Sequence, residues 1–175
     1  MTFTDTHCHL ADPKLADSLP AVLAEAQATG VARFIVPATS PKDWHSVVQL
    51  ERPSENIHVA LGIHPWFSDG LNEATFQELE KELIRHPQAW VGEIGLDFYG
   101  KEQTKAQRDT QTDVFIRQLI LAQHLNRRVI IHNLKATAAI AAAVKTAGFT
   151  QGGIVHAFSG SVEEARILVK LGFKI

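Results

Sequence analysis

Short, continuously apolar runs recur along this chain, and stretches of helical periodicity separate them. A first run leads into Asp5-Thr6-His7-Cys8-His9, and others cover 34–36, 57–63, 89–94, 128–132, 153–156 and 173–175. Such runs read as strands buried on both faces. Between them, 15–29, 41–52, 73–85, 104–126, an alanine-rich stretch ending at Ala147, and 161–171 read as helices, with Gly30 as a C-terminal stop for the first. The alternation recurs at intervals of roughly 25 to 40 residues, which predicts parallel strands with helical crossovers. The fold class is α/β, either doubly wound or closed as a barrel, with about six βα units plus the start of a seventh strand.

No linker, low-complexity segment or internal repeat interrupts the pattern, so residues 1–175 are expected to form one domain. A complete eight-unit barrel takes about 250 residues, and this chain stops roughly 75 short of that, on an apolar run. The expectation is therefore an incomplete barrel lacking its last βα units. Its two open sheet edges invite self-association.

Several of the runs end on residues that bind metals. In an extended strand, residues two apart share a face, so Asp5, His7 and His9 are expected on one side and Cys8 on the other, with Asp5 orienting an imidazole. Glu93 closes an apolar run between Gly92 and Gly95, where a carboxylate is poorly placed unless it is paired. Val129-Ile130-Ile131-His132 and Gly153-Ile154-Val155-His156 both end on histidine. Five metal-competent side chains thus fall at the C-terminal ends of four strands, the end at which a βα barrel carries its active site. His64, in Gly62-Ile63-His64-Pro65-Trp66, lies on the same rim and is a candidate for contacting substrate, and Asp97 and Tyr99 are candidates for lining the site. His45, His58, His86 and His124 are read as structural, and Arg127-Arg128 as a solvated pair at the opposite end.

Charge and cysteine usage limit the alternatives. A formal net charge of -2 provides no general field for nucleic acid, so a phosphate-bearing substrate needs a local site. The single cysteine, Cys8, excludes an internal disulfide and is expected to pack in the core. The first residues carry neither a basic stretch nor a long apolar run, and no segment approaches the ~18 apolar residues of a membrane span. A cytoplasmic location without membrane contact is expected.

Taken together, Asp5-Thr6-His7-Cys8-His9-Leu10, Gly62-Ile63-His64-Pro65, Gly92-Glu93-Ile94-Gly95-Leu96-Asp97, Gln118-Leu119-Ile120-Leu121-Ala122, His132 and His156-Ala157-Phe158-Ser159-Gly160 resemble the TatD family of metal-dependent hydrolases. The resemblance implies a deformed TIM-type (β/α) barrel and two divalent metal ions, zinc, manganese or magnesium. His7 and His9 would hold the first ion, Glu93 would bridge both and act in catalysis, and His132 and His156 would hold the second. It also implies deoxyribonuclease activity, with DNA or a small phosphodiester as substrate and His64 against it. Two departures stand out. The family's aspartate in a Thr-Asp-X-Pro context has no counterpart in this sequence, and Leu134 stands where an arginine is common, with Lys135 beside it as a partial substitute. Two alternatives remain: an amidohydrolase-type enzyme acting on a C–N or ester bond, which Leu134 favours, and an inactive truncated fragment.

Overall fold

The computed structural model describes residues 2–52, 56–100, 102–156 and 158–175. Its strands are β1 (Phe3–Asp5), β2 (Val31–Pro37), β3 (Ile57–Leu61), β4 (Trp90–Asp97), β5 (Val129–Leu134), β6 (Gly153–His156) and β7 (Phe173–Lys174). They alternate with α1 (Leu19–Ala28), α2 (Trp44–Val48), α3 (Glu73–Arg85), α4 (Lys105–His124), α5 (Thr137–Thr146) and α6 (Val162–Lys170). All seven strands are parallel and lie in sequence order, β1 to β7, so every connection is a helical crossover between neighbours. Among the described residues, β1 and β7 are the two edges of the sheet. Six βα units and a seventh strand match the expected count.

Local chemistry sets the element ends. Thr104 and Gln107 form a reciprocal capping box on α4, and Ser161 and Glu164 form another on α6. The helix expected over 15–29 begins only at Leu19, because Pro20 is tolerated in a first turn and not in a helix interior. The helix expected over 41–52 shrinks to the five residues of α2. There the Asp43 carboxylate accepts the backbone N–H groups of Thr39 and Ser40 and so fixes the loop before the helix. β1 stops at Asp5, so His7 and His9 lie beyond the strand; β4 runs on to Asp97, so Glu93 lies inside its strand and not at its end.

The sheet has two dry faces. Toward the helices, Val91, Val129 and Ile131 pack with Leu79 and Leu83 of α3 and with Phe115 and Leu119 of α4. On the inner face, Ile35, Ala60, Ile130 and Ile154 form a smaller apolar layer against Trp90. Strand parity then places His132 above Ile130 and His156 above Ile154, at the C-terminal end of that inner layer. Arg127, half-buried, donates to the Leu83 carbonyl and so is packed where solvation was expected, whereas Arg128 is exposed, with its guanidinium over the Trp90 ring. None of the described helices is long and apolar enough to cross a membrane.

Two glutamines on α4, two turns apart, hold the end of β4 and the loop after β3, which carry parts of the site. Gln111 accepts the Asp97 N–H at 3.0 Å. Gln118, 0% exposed, accepts the Ile63 N–H at 2.8 Å and donates to the Ile63 carbonyl at 3.1 Å. Replacing Gln118 by leucine strands both backbone groups of Ile63 in the core. Gln118→Leu is therefore expected to lower stability by about 2–4 kcal/mol in a urea titration, and a loss under about 0.5 kcal/mol would contradict the bracing role.

Candidate metal centre

Glu93 is the centre of the rim cluster and is 2% exposed. It sits in β4 between Gly92 and Gly95, and both are needed to bring β4 close to β5. A Cβ on Gly92 would lie 2.8 Å from the Ile130 Cβ, and one on Gly95, whose φ is +138°, would lie 2.1 Å from the His132 carbonyl oxygen. The β4–β5 register shifts between Val91 and Ile94, next to Glu93.

The carboxylate divides its surroundings in two. Oε2 faces His7 Nε2 at 3.3 Å and His9 Nε2 at 3.9 Å, and these two nitrogens are 3.1 Å apart. Oε1 faces His156 Nε2 at 2.5 Å, His132 Nδ1 at 3.0 Å and His64 Nε2 at 3.6 Å. The His7 and His156 rings stack at 3.7 Å and join the two halves. All six sequence candidates therefore converge, and with Thr39, Trp66 and Phe67 they line one cavity of about 350 Å³.

The donor set and spacing suit divalent cations. Two imidazole nitrogens sharing a tetrahedral ion would stand about 3.3 Å apart, close to the separation of His7 and His9. Among the described residues, two groups offer three ligand atoms each: His7, His9 and Glu93, and His64, Glu93 and His132. His156 is closer to Glu93 than His64 is, and the two rings differ in their hydrogen bonding. The Trp66 backbone N–H donates to His64 Nδ1 at 3.2 Å, so that nitrogen presents its lone pair there and the neutral ring carries its proton on Nε2, facing the cavity. His64 is thus a hydrogen-bond donor at this site. His132 presents Nδ1 to Glu93 at 3.0 Å, where it donates to the carboxylate, while its Nε2 lies 3.5 Å from the Asp97 carboxylate on the other side of the ring.

Burial governs the protonation states. It pushes the His7 and His64 imidazoles down to about 4, although Glu93 pulls both upward. Burial works to raise the Glu93 carboxyl, but hydrogen bonds from His132 and His156 outweigh it and hold the group well below the ordinary 4.5. At neutral pH the centre therefore offers an ionised carboxylate beside neutral His7 and His64 rings.

Other expectations resolve differently. Asp5 accepts the His7 backbone N–H at 3.0 Å and makes no bond to a ring, so it shapes the turn after β1. Cys8 packs against the core with Sγ 3.6 Å from the Ile35 carbonyl, and burial pushes its thiol up to about 12, which makes a thiolate ligand unfavourable. Asp97 bonds the Trp66 indole and faces His132, whereas Tyr99 is exposed and absent from the cavity lining. Lys135 lies in a neighbouring polar cavity with Asn133, Thr137 and Glu164. His45, His58, His86 and His124 stay outside the cluster, and His86 pairs with Glu51 at 2.8 Å. Ala157 of the fifth motif lies outside the described residues. Thr39, Trp66 and Phe67 carry no sequence signal of their own.

Fold and site define a parallel (β/α) barrel protein with a histidine–carboxylate cluster on its C-terminal rim. The profile of the TatD related DNase family matches residues 4–175, and the chain belongs to that family. It is 34% identical over 175 residues to the uncharacterized metal-dependent hydrolase YjjV of Escherichia coli (strain K12), covering 99% of this chain and 66% of that protein. The crystal structure of YjjV superposes with a TM-score of 0.89, over 98% of this chain and 66% of that one. Human deoxyribonuclease TATDN3 is 29% identical over 181 residues, covering 97% of this chain and 65% of that protein. The chain thus spans just under two thirds of the length of these relatives.

Acid is expected to unfold the metal-stripped chain. The folded-state values of His7 and His64 lie near 4, below their ordinary 6.5, so between these limits the unfolded chain binds more protons. Stability is present above 6.5 and is lost as the pH falls toward 4, and the lowered Glu93 carboxyl acts in the same direction below 4.5. Thermal melts in chelator should show Tm dropping across that window, less steeply in His64→Gln. A Tm independent of pH would contradict buried neutral imidazoles.

Proposed function

We propose that this chain is a metal-dependent phosphodiesterase domain that acts on DNA, with residues 1–175 forming one barrel unit and Glu93 bridging two divalent ions. The observation that carries the proposal is the divided carboxylate, with Oε2 toward His7 and His9 and Oε1 toward His132 and His156. His7 and His9 would hold one ion and His132 and His156 the other. A mixed nitrogen and oxygen donor set suits zinc or manganese better than magnesium. Such ions, when bound, supply Lewis acidity toward water and toward a phosphoryl oxygen.

The remaining side chains prepare the site. Asp97, 3.5 Å from His132 Nε2, would steady that ring on the side away from Glu93 once Nδ1 holds an ion. His64 points Nε2–H into the cavity, where it would donate to a non-bridging phosphoryl oxygen, and as a neutral donor it keeps that role at physiological pH. The nuclease reading is supported by the family profile and by relatives that are themselves named deoxyribonucleases. A second reading, hydrolysis of a neutral C–N or ester bond, is favoured by the absence of lysine and arginine from the described cavity lining and by Leu134 at the family's arginine position.

Elemental mass spectrometry and a panel of phosphodiester, amide and lactone substrates test both readings. About two ions per chain and selective phosphodiester hydrolysis are expected. Glu93→Gln should lose metal and more than about 100-fold in activity, whereas His64→Gln should keep its metal and lose about 100-fold in kcat/KM. Full metal content and normal hydrolysis in Glu93→Gln would refute the bridging role. Selective amide or lactone cleavage would favour the second reading.

A further inference from the structure

Trp66 sits on the short 3-10 turn Pro65–Phe67 and lines the same cavity as Glu93 and His64. Its orientation inverts the usual arrangement of a surface tryptophan. Ordinarily the ring is covered and the indole N–H meets water. Here Nε1–H donates inward at 2.7 Å to Asp97, itself 4% exposed, while the residue is 70% exposed. The apolar ring is thus held in solvent at the mouth of the site, with Phe67, 45% exposed, beside it on the turn.

The ring is also fixed in place. The Trp66 backbone N–H bonds His64 Nδ1, and the Asp97 carboxylate that holds the indole also accepts the Tyr99 N–H at 2.9 Å. The Trp66 and His64 rings lie 5.0 Å apart and nearly perpendicular, at 80°. A flat apolar surface therefore stands beside a hydrogen-bond donor aimed into the cavity. A rigid aromatic face loses little conformational entropy when a ligand covers it. The ligand chemistry that places a planar ring next to an anionic oxygen is that of a nucleotide, and every base has a π-face suited to such a surface.

We propose that Trp66 is a stacking platform for the base that flanks the scissile phosphate, with the Asp97 carboxylate holding the indole in place. This rests on the phosphodiesterase reading, and the test separates the two. Steady-state kinetics would compare a thymidine dinucleotide with the same diester lacking one base, for the wild type, Trp66→Ala and Trp66→Phe. Trp66→Ala is expected to raise KM about 10-fold for the dinucleotide and to leave the baseless diester unchanged. Trp66→Phe keeps a ring but loses the bond to Asp97, so its KM should rise by about 3-fold, between wild type and Trp66→Ala. Equal losses on both substrates, or equal losses in both variants, would overturn the platform role. A fluorescence titration with the dinucleotide, in metal-stripped protein, reads stacking without turnover. Quenching in the wild type that disappears in Trp66→Phe supports the platform, even if neither diester is cleaved and the phosphodiesterase reading fails. Absence of quenching in the wild type would overturn the platform, whatever the activity.

Discussion

The Glu93 carboxylate, 2% exposed, lies within 3.9 Å of nitrogens from five imidazoles, and much of the rim is arranged around that buried charge. An ionised carboxylate is costly away from water unless opposite charge or hydrogen bonds compensate it. His132 and His156 supply hydrogen bonds. The cations proposed for the two sides of the carboxylate would supply the charge.

That demand shapes the backbone around it. β4 can bring Glu93 against β5 only because Gly92 and Gly95 have no side chains to strike Ile130 and the His132 carbonyl. The loop after β3 carries His64 and the end of β4 carries Asp97, and α4 holds both segments through Gln118 and Gln111, polar side chains set among apolar neighbours on the same helix. Asp43 performs a similar task for the loop bearing Thr39. The inner layer of Ile35, Ala60, Ile130 and Ile154 closes the cluster from below, so its polar atoms open only toward the rim.

Much of this was legible in the sequence where one periodicity acts alone. The apolar runs gave all seven strands, and the histidines that close 129–132 and 153–156 fall at the strand ends expected for a rim site. The same reasoning used the wrong cause for His7 and His9: they meet through a turn after β1 and not through strand parity. Asp5 likewise bonds backbone where a ring contact was expected. Helix starts were overextended where Pro20 and Asp43 imposed local geometry stronger than apolar spacing. The donor role of His64 depends on one backbone N–H, and the partnership of Trp66 with Asp97 spans 31 positions, so neither leaves a trace in local sequence.

Anomalous diffraction from crystals soaked in manganese or zinc tests the bridging carboxylate most directly. Two peaks are expected, one between Glu93 Oε2 and the His7–His9 pair and one between Glu93 Oε1 and the His132–His156 pair. A single peak confined to one side, or metal bound with Glu93 outside its coordination sphere, would contradict it.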